Sequence, residues 1–273
     1  MRIWSARSAW LVDVNRQCLV SGRVAGDAMP FVALSYKYGS GPWFKITSAA
    51  TLSRLQVPGS LETVEMLAKI SPMLKHAMYL TTQLGERFLW ADVLCIPHHD
   101  TATTTEQLKL MGAIYANAIV TIIALDTDSE EGIPGLKGIS NSREMKQVVV
   151  PFGTEKIVAR PYDVGTTMFQ RGKLYNTRGW TYQECMLSCR KVVFHEKELK
   201  WVCSCNFWGE GRATGLDIQE HDYQYFNRQM DSILTGLPDT APLNEIFTEF
   251  NYRELSNDAD ALPAISGLLS VLS

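Results

Sequence analysis

Apolar positions fall into short runs and helical stripes that alternate along the first 125 residues. Residues 31–36, Phe-Val-Ala-Leu-Ser-Tyr, form an apolar run behind Pro30 and predict a buried strand. Lys37, Tyr38, Gly39, Ser40, Gly41 and Pro42 then break it into a loop. Pro72 suits the first turn of a helix. Leu74, Ala77, Met78, Thr81 and Leu84 follow on one helical face, and Gly85 supplies a C-terminal stop. Residues 88–94 predict a second strand, apolar except for Asp92 near its C-terminal end. Pro97, His98, His99 and Asp100 make a loop. Thr104 and Gln107 then fit a capping box, and Leu108, Met111, Ile114, Tyr115 and Ala118 mark a buried helical stripe. Residues 119–124, mostly β-branched, predict a third strand buried on both faces. Strand, helix, strand, helix, strand in this rhythm predicts right-handed βαβ units and a parallel sheet.

The second half is less regular. Residues 126–146 are polar and contain glycine, which predicts loop. Val148, Val149 and Val150 with Ile157, Val158 and Ala159 predict a hairpin inserted into the α/β pattern. Residues 176–184 predict the start of a helix, and residues 191–196 and 199–203 two further strands. Residues 206–250 hold amphipathic, poorly marked helical stretches.

Composition changes the picture in three ways. With 46% apolar and 20% charged residues the chain is an ordinary globular one, neither disordered, collagen-like nor a disulfide framework. A length of 273 residues suits one large domain or two small ones. The charge is split: residues 1–216 carry 24 basic and 19 acidic side chains, residues 217–273 carry 2 and 10. A mildly basic body thus precedes an acidic region. Neither has the dense Lys/Arg stripe of a nucleic-acid binder. The longest apolar run, near residues 118–125, is far short of the roughly 20 residues that span a bilayer. No apolar signal region follows Met1, so the six cysteines are expected as free thiols in a reducing compartment, the cytoplasm.

Several residues suggest chemistry. Trp180 and Glu184, four apart, share one face of a helix. A carboxylate beside an indole suits a partly apolar cleft that holds a sugar hydroxyl and stabilises developing positive charge. The same spacing also suits an anchoring Trp and a surface Glu in the first turns, where the helix dipole favours acids. Ser35, Tyr36 and Lys37 stand where a parallel strand ends, the place where open α/β sheets bind ligands. Ser and Tyr suit a ribose or base and Lys a phosphate; an ordinary strand exit reads the same way. Asp92 would orient a loop or ligand group, or accept nearby backbone amides. Cys185, Cys189, His195, Cys203 and Cys205 match no common zinc spacing, and no metal is expected. His98 and His99 lie in a loop with no partner motif. No P-loop, G-x-G-x-x-G, G-x-S-x-G or H-E-x-x-H pattern is present.

In order along the chain, these segments resemble the fungal heterokaryon-incompatibility (HET) domain. The matching pieces are Phe31-Val32-Ala33-Leu34-Ser35-Tyr36-Lys37-Tyr38-Gly39, then residues 84–96, then Met111, Ile114, Tyr115 and Ala118. The most specific is Arg178-Gly179-Trp180-Thr181-Tyr182-Gln183-Glu184 with residues 185–188. Tyr252-Arg253-Glu254-Leu255-Ser256 and Asp260-Ala261-Leu262 resemble a stretch that follows the domain in that family. Tyr38, Pro97-His98 and Cys189 depart from its usual Trp, apolar-Gln and Arg. The HET domain is in turn similar, remotely, to the Toll/interleukin-1 receptor (TIR) domain. There Ala33-Leu34-Ser35-Tyr36 resembles the first-strand box, and Thr177-x-x-Trp180-x-x-x-Glu184 resembles the element that supplies the catalytic glutamate of NAD-cleaving members.

The resemblance implies a flavodoxin-like (TIR-like), doubly wound α/β fold with a mostly parallel sheet. It implies a HET domain over residues 1–205, with an insertion at about 126–176 that includes the β-hairpin. An acidic, mostly helical C-terminal extension would cover residues 206–273. Family members often continue further, so a shortened chain is expected. The implied activity is NAD(P) glycohydrolysis in fungal cell death and innate immunity after non-self recognition, with Glu184 as catalyst. Ser35, Tyr36, Lys37, Asp92, Arg178 and Trp180 would bind the substrate. NAD or a related nucleotide would be consumed as substrate, with no cofactor. Self-association and partner signalling domains are implied; a membrane span and nucleic acid are not. The rival expectation is a non-catalytic, self-associating signalling module.

Overall fold

The computed structural model describes residues 7–23, 29–41, 44–143, 147–159, 173–195, 197–203, 206–210 and 240–270. The chain opens with a hairpin that no pattern above predicts, β1 (Trp10–Asp13) and β2 (Cys18–Ser21). β3 (Val32–Lys37) is the first predicted strand. Between it and β4 (Phe88–Trp90) lie α1 (Ala49–Leu55), α2 (Val64–Lys69) and α3 (Pro72–Gln83). Ser48, Thr63 and Ser71 cap these three helices by accepting a backbone N–H. Pro72 sits in the first turn of α3, and Gly85 beyond its end takes a φ of +76°, the left-handed conformation that stops a helix.

β4 is shorter than predicted. It ends at Trp90, and Asp92 opens α4 (Asp92–Cys95) instead of closing a strand. The first turn of a helix offers a carboxylate N–H donors that a ladder position does not, and Asp92 Oδ1 accepts from Val93 N–H at 2.8 Å. α5 (Thr101–Lys109) also starts early. Asp100 caps it, accepting from Ala102 and Thr103 N–H, while Thr104 Oγ1 donates to the Pro97 carbonyl. The stripe predicted as one helix breaks at Leu110, where α6 (Met111–Asn117) begins. β5 (Val120–Asp128) outruns its prediction. β6 (Val148–Phe152) and β7 (Glu155–Ala159) form the predicted hairpin as a separate two-stranded sheet. α7 (Leu174–Thr177) and α8 (Trp180–Leu187) are separated by Arg178 and Gly179. β8 (Arg190–His195), β9 (Glu198–Cys203) and β10 (Asn206–Gly209) follow, then α9 (Thr240–Asn251) and α10 (Pro263–Leu269). Cys205, residues 160–172 of the predicted insertion and residues 211–239 and 271–273 of the predicted extension lie outside the described residues.

Eight strands form one sheet in the order β10-β9-β8-β5-β3-β4-β1-β2. Its centre, β8-β5-β3-β4, is parallel, as the α/β rhythm predicts. Each edge is an antiparallel pair. Connections run from β3 outward to β4 on one side and to β5 and β8 on the other. Strand order therefore reverses between β3 and β5, the switch point at whose carboxyl ends open α/β sheets bind ligands.

Side chains alternate across the sheet. Leu34 and Ile122 join Leu55, Met66, Met73 and Leu74 in the main core cluster, each at most 2% exposed. Ser35 stands opposite Ile123 in register, and Ile123, Val193, Tyr175 and Cys185 form a smaller cluster beside α7 and α8. α6, α8 and α10 pack on one another, with Tyr182, Met186, Leu187, Ile265 and Leu268 buried between them. Among the described residues no helix is long and apolar enough to cross a membrane.

Candidate functional site

Alternation along β3 turns Ser35 inward at 0% exposure, and a buried hydroxyl requires partners. It has two. Ser35 Oγ donates to Glu184 Oε2 at 2.5 Å and lies 2.6 Å from Tyr175 Oη. Glu184, in the second turn of α8, is 1% exposed. Tyr115 reaches the same oxygen from α6: its Oη is 2.8 Å from the Leu34 carbonyl and 3.0 Å from Glu184 Oε2. Tyr175 Oη also donates to the Thr181 carbonyl at 3.2 Å. β3 and α6 thus meet the α8 carboxyl directly, and α7 braces Ser35 beside it.

Burial is the largest influence on that carboxyl and pushes it up. Arg178 pulls it down, Asp92 pushes it up again, and the bonds from Ser35 and Tyr115 pull down. The balance is about 7 against an ordinary 4.5. The hydrogen bonds agree. Tyr115 carries one phenol proton but faces two acceptors, Leu34 O and Glu184 Oε2. A proton on Glu184 leaves the phenol free for Leu34 and satisfies both contacts. Burial holds the Tyr115 and Tyr175 phenols well above their ordinary range, so both keep their protons.

Arg178, between α7 and α8, faces the same strand end. Its Nη1 donates to the Tyr36 carbonyl at 3.0 Å, and Nη2 is 3.6 Å from Asp92 Oδ2. Its guanidinium lies 4.4 Å from the Tyr38 ring centroid. The side chain keeps 18% exposure. Burial opposes its charge, but Glu184, Tyr38 and Asp92 outweigh this and hold it protonated. Tyr38 meets Tyr36 edge-on at 5.2 Å. Lys37 Nζ donates to Thr177 Oγ1 at 2.8 Å. The structure therefore brings Ser35, Tyr36, Lys37, Asp92, Arg178 and Glu184 to one strand end. Trp180 is used differently: it is 7% exposed, and its Nε1–H donates to Asp260 Oδ2 at 3.3 Å.

Sequence reasoning missed Tyr115 as a partner of the carboxyl and Tyr175 as a partner of Ser35. Tyr115 was legible in principle, because a tyrosine inside an otherwise apolar stripe needs an acceptor for its O–H. Tyr175 carries no such signal. Among the described residues no group of three or more His, Cys, Asp or Glu could hold a metal ion. The five described cysteines are free thiols. Burial pushes the Cys95 thiol up to about 12, which removes it as a nucleophile near neutral pH. His98 is held below its ordinary value, mainly by burial. A separate cavity of about 750 Å³ lies at the carboxyl ends of β5 and β8. Of its charged lining, Lys173 Nζ is 3.4 Å from Asp126, and Arg143 bonds Glu210, outside the lining, through both terminal nitrogens. Glu184 does not line it.

The family model for the heterokaryon incompatibility protein (HET) matches residues 31–184, over half of the chain, from the residue before β3 to Glu184 itself. No curated protein and no solved structure matches.

Proposed function

The chain belongs to the heterokaryon incompatibility family, and on that premise we propose that it is an NAD(P) glycohydrolase acting in cell death after non-self recognition. One observation carries the reading: a dry carboxyl, Glu184, is bonded to Ser35 at the carboxyl end of β3, with the Arg178 guanidinium at the same strand end. The parallel order β4-β3-β5-β8 supports a flavodoxin-like, TIR-like arrangement, whose switch point falls at β3 and β5.

In this reaction the bond between ribose C1′ and the nicotinamide nitrogen breaks, and its electron pair leaves with nicotinamide. Positive charge develops on the ribose. The Glu184 carboxylate stabilises it. Water adds to C1′ and loses a proton, giving ADP-ribose. Ser35 and Tyr36 hold the ribose or base, Arg178 and Lys37 meet the pyrophosphate, Asp92 orients Arg178, and Trp180 backs α8. NAD is consumed as substrate, and the chemistry needs no metal. We assign the activity to self-associated copies in the cytoplasm. Incubation of the purified chain with NAD tests the proposal: nicotinamide and ADP-ribose must appear together. No release at protein concentrations that drive self-association overturns it.

The 1% exposure of Glu184 favours a second reading, a non-catalytic self-associating module in which the carboxyl locks helix to sheet. It requires that Glu184→Gln, which keeps the bonds to Ser35 and Tyr115, still triggers cell death. Loss of killing by a folded Glu184→Gln protein overturns it.

A further inference from the structure

The family match stops at Glu184, yet much of what holds its helix lies beyond that point. Residues 252–267 run along the turn between α7 and α8. Glu254 N–H donates to the Thr177 carbonyl at 2.6 Å, and Gly179 N–H donates to the Glu254 carbonyl at 2.8 Å, pairing Arg178 with Glu254 as a parallel bridge. Leu255 covers Gly179 so closely that a Cβ there would sit 2.4 Å from Leu255 Cδ2. The φ of Gly179 is −60°, so space and not backbone conformation demands glycine.

The same segment takes up most of the stretch that looked catalytic. Trp180 donates to Asp260. Gln183 Nε2 donates to the Pro263 carbonyl at 3.3 Å, and its Oε1 accepts from Gly267 N–H at 3.2 Å. Arg253 holds the turn itself. Its Nη1 donates to the Arg178 carbonyl at 3.1 Å and to Thr181 Oγ1 at 3.0 Å, and its Nη2 donates to Asn176 Oδ1 at 3.3 Å. Its guanidinium lies 4.7 Å from the Tyr182 ring centroid. Gly179, Trp180, Thr181 and Gln183 therefore serve the docked segment, while Arg178 and Glu184 turn to β3.

Arg253 is mostly buried, and its hydrogen bonds go to neutral acceptors: a carbonyl, a hydroxyl and an amide. A buried cation is expensive to desolvate, so stability alone is weak ground for placing one here. What the guanidinium adds is a rigid fork that fixes three groups at once.

We propose that residues 252–267 complete the site as a clamp, in which Arg253 is a positioning residue that sets Arg178 and Glu184 against the end of β3. The kinetic arm of its test rests on the glycohydrolase reading; the titration arm does not.

Arg253→Met and Arg253→Lys are made in the full chain. Three quantities are read: kcat and KM for nicotinamide release, and the pH midpoint of Glu184. The midpoint is taken from the pH dependence of the stability difference between each protein and its Glu184→Gln counterpart. Arg253→Met is expected to lower kcat at least about tenfold and leave KM within about threefold. It moves the midpoint down from about 7 by roughly one unit, because a loosened turn admits water to the carboxyl. Arg253→Lys, with its charge retained, recovers part of both. A folded Arg253→Met protein with unchanged kcat and midpoint overturns the clamp, however much stability it has lost. If Arg253→Met does not fold, Arg253→Lys decides: a wild-type midpoint in that variant overturns the proposal. If the wild type releases no nicotinamide, the glycohydrolase reading fails and the midpoint alone decides the clamp.

Discussion

Replacing Glu184 with glutamine should make the protein more stable at alkaline pH. The carboxyl titrates at about 7 in the fold and near 4.5 in an ordinary setting. Between those values the folded chain holds a proton that the unfolded chain has released. Stability therefore falls as pH rises, by up to about 1.4 kcal/mol per pH unit, and levels off above the folded value. The shift of about 2.5 units is worth about 3 kcal/mol at pH 8. Glutamine has no such proton to lose, and its amide oxygen can accept from Ser35 and Tyr115 in place of Oε2. Urea unfolding of both proteins from pH 5 to pH 8 should show near-equal stability at the acid end. At the alkaline end the variant should lead by roughly 2–3 kcal/mol. A difference that does not change with pH would refute the reasoning. A wild type that gains on the variant as pH rises would do so more sharply, because it would mean that Arg178 holds Glu184 charged.

Three further outcomes follow from the packing. Tyr115→Phe removes the O–H that serves Leu34 and Glu184 and should cost about 1–2 kcal/mol in urea. Gly112→Ala should cost about 1–3 kcal/mol in the same assay, because its Cβ would sit 2.9 Å from the Gly267 backbone and 2.8 Å from Leu187. Burial pushes Asp13 up, but Arg87 at 2.7 Å and two backbone N–H bonds outweigh it, so its carboxyl lies below 3.8. Its contribution is present above that value and lost as pH falls through the folded one; Asp13→Asn should therefore flatten the acid limb of wild-type stability.

The parallel centre of the sheet was legible because β3 and the first six residues of β5 are buried and read as near-continuous apolar runs. The edge pair β1 and β2 was not, since a four-residue strand on a hairpin carries too few positions to show a period. Asp92 was misplaced for a related reason: Val93, Leu94 and Cys95 prolong the apolar run although the backbone has already turned helical. At the site, Ser35 was readable from its strand end and Glu184 from its helical spacing, while their convergence with Arg178 was implied only by the family resemblance. The division of labour within residues 178–184 was not. Trp180 and Glu184 share helical spacing, but their partners, Asp260 and Ser35, come from segments 225 residues apart. No local pattern records such a contact.

The most direct test is nicotinamide release from NAD by the full chain, followed at high protein concentration beside Glu184→Gln. The account predicts release by the wild type that rises as pH passes through about 7, where the carboxylate forms, and none above background by the variant. Equal release by the folded variant, or a wild-type rate that falls across that range, would contradict it.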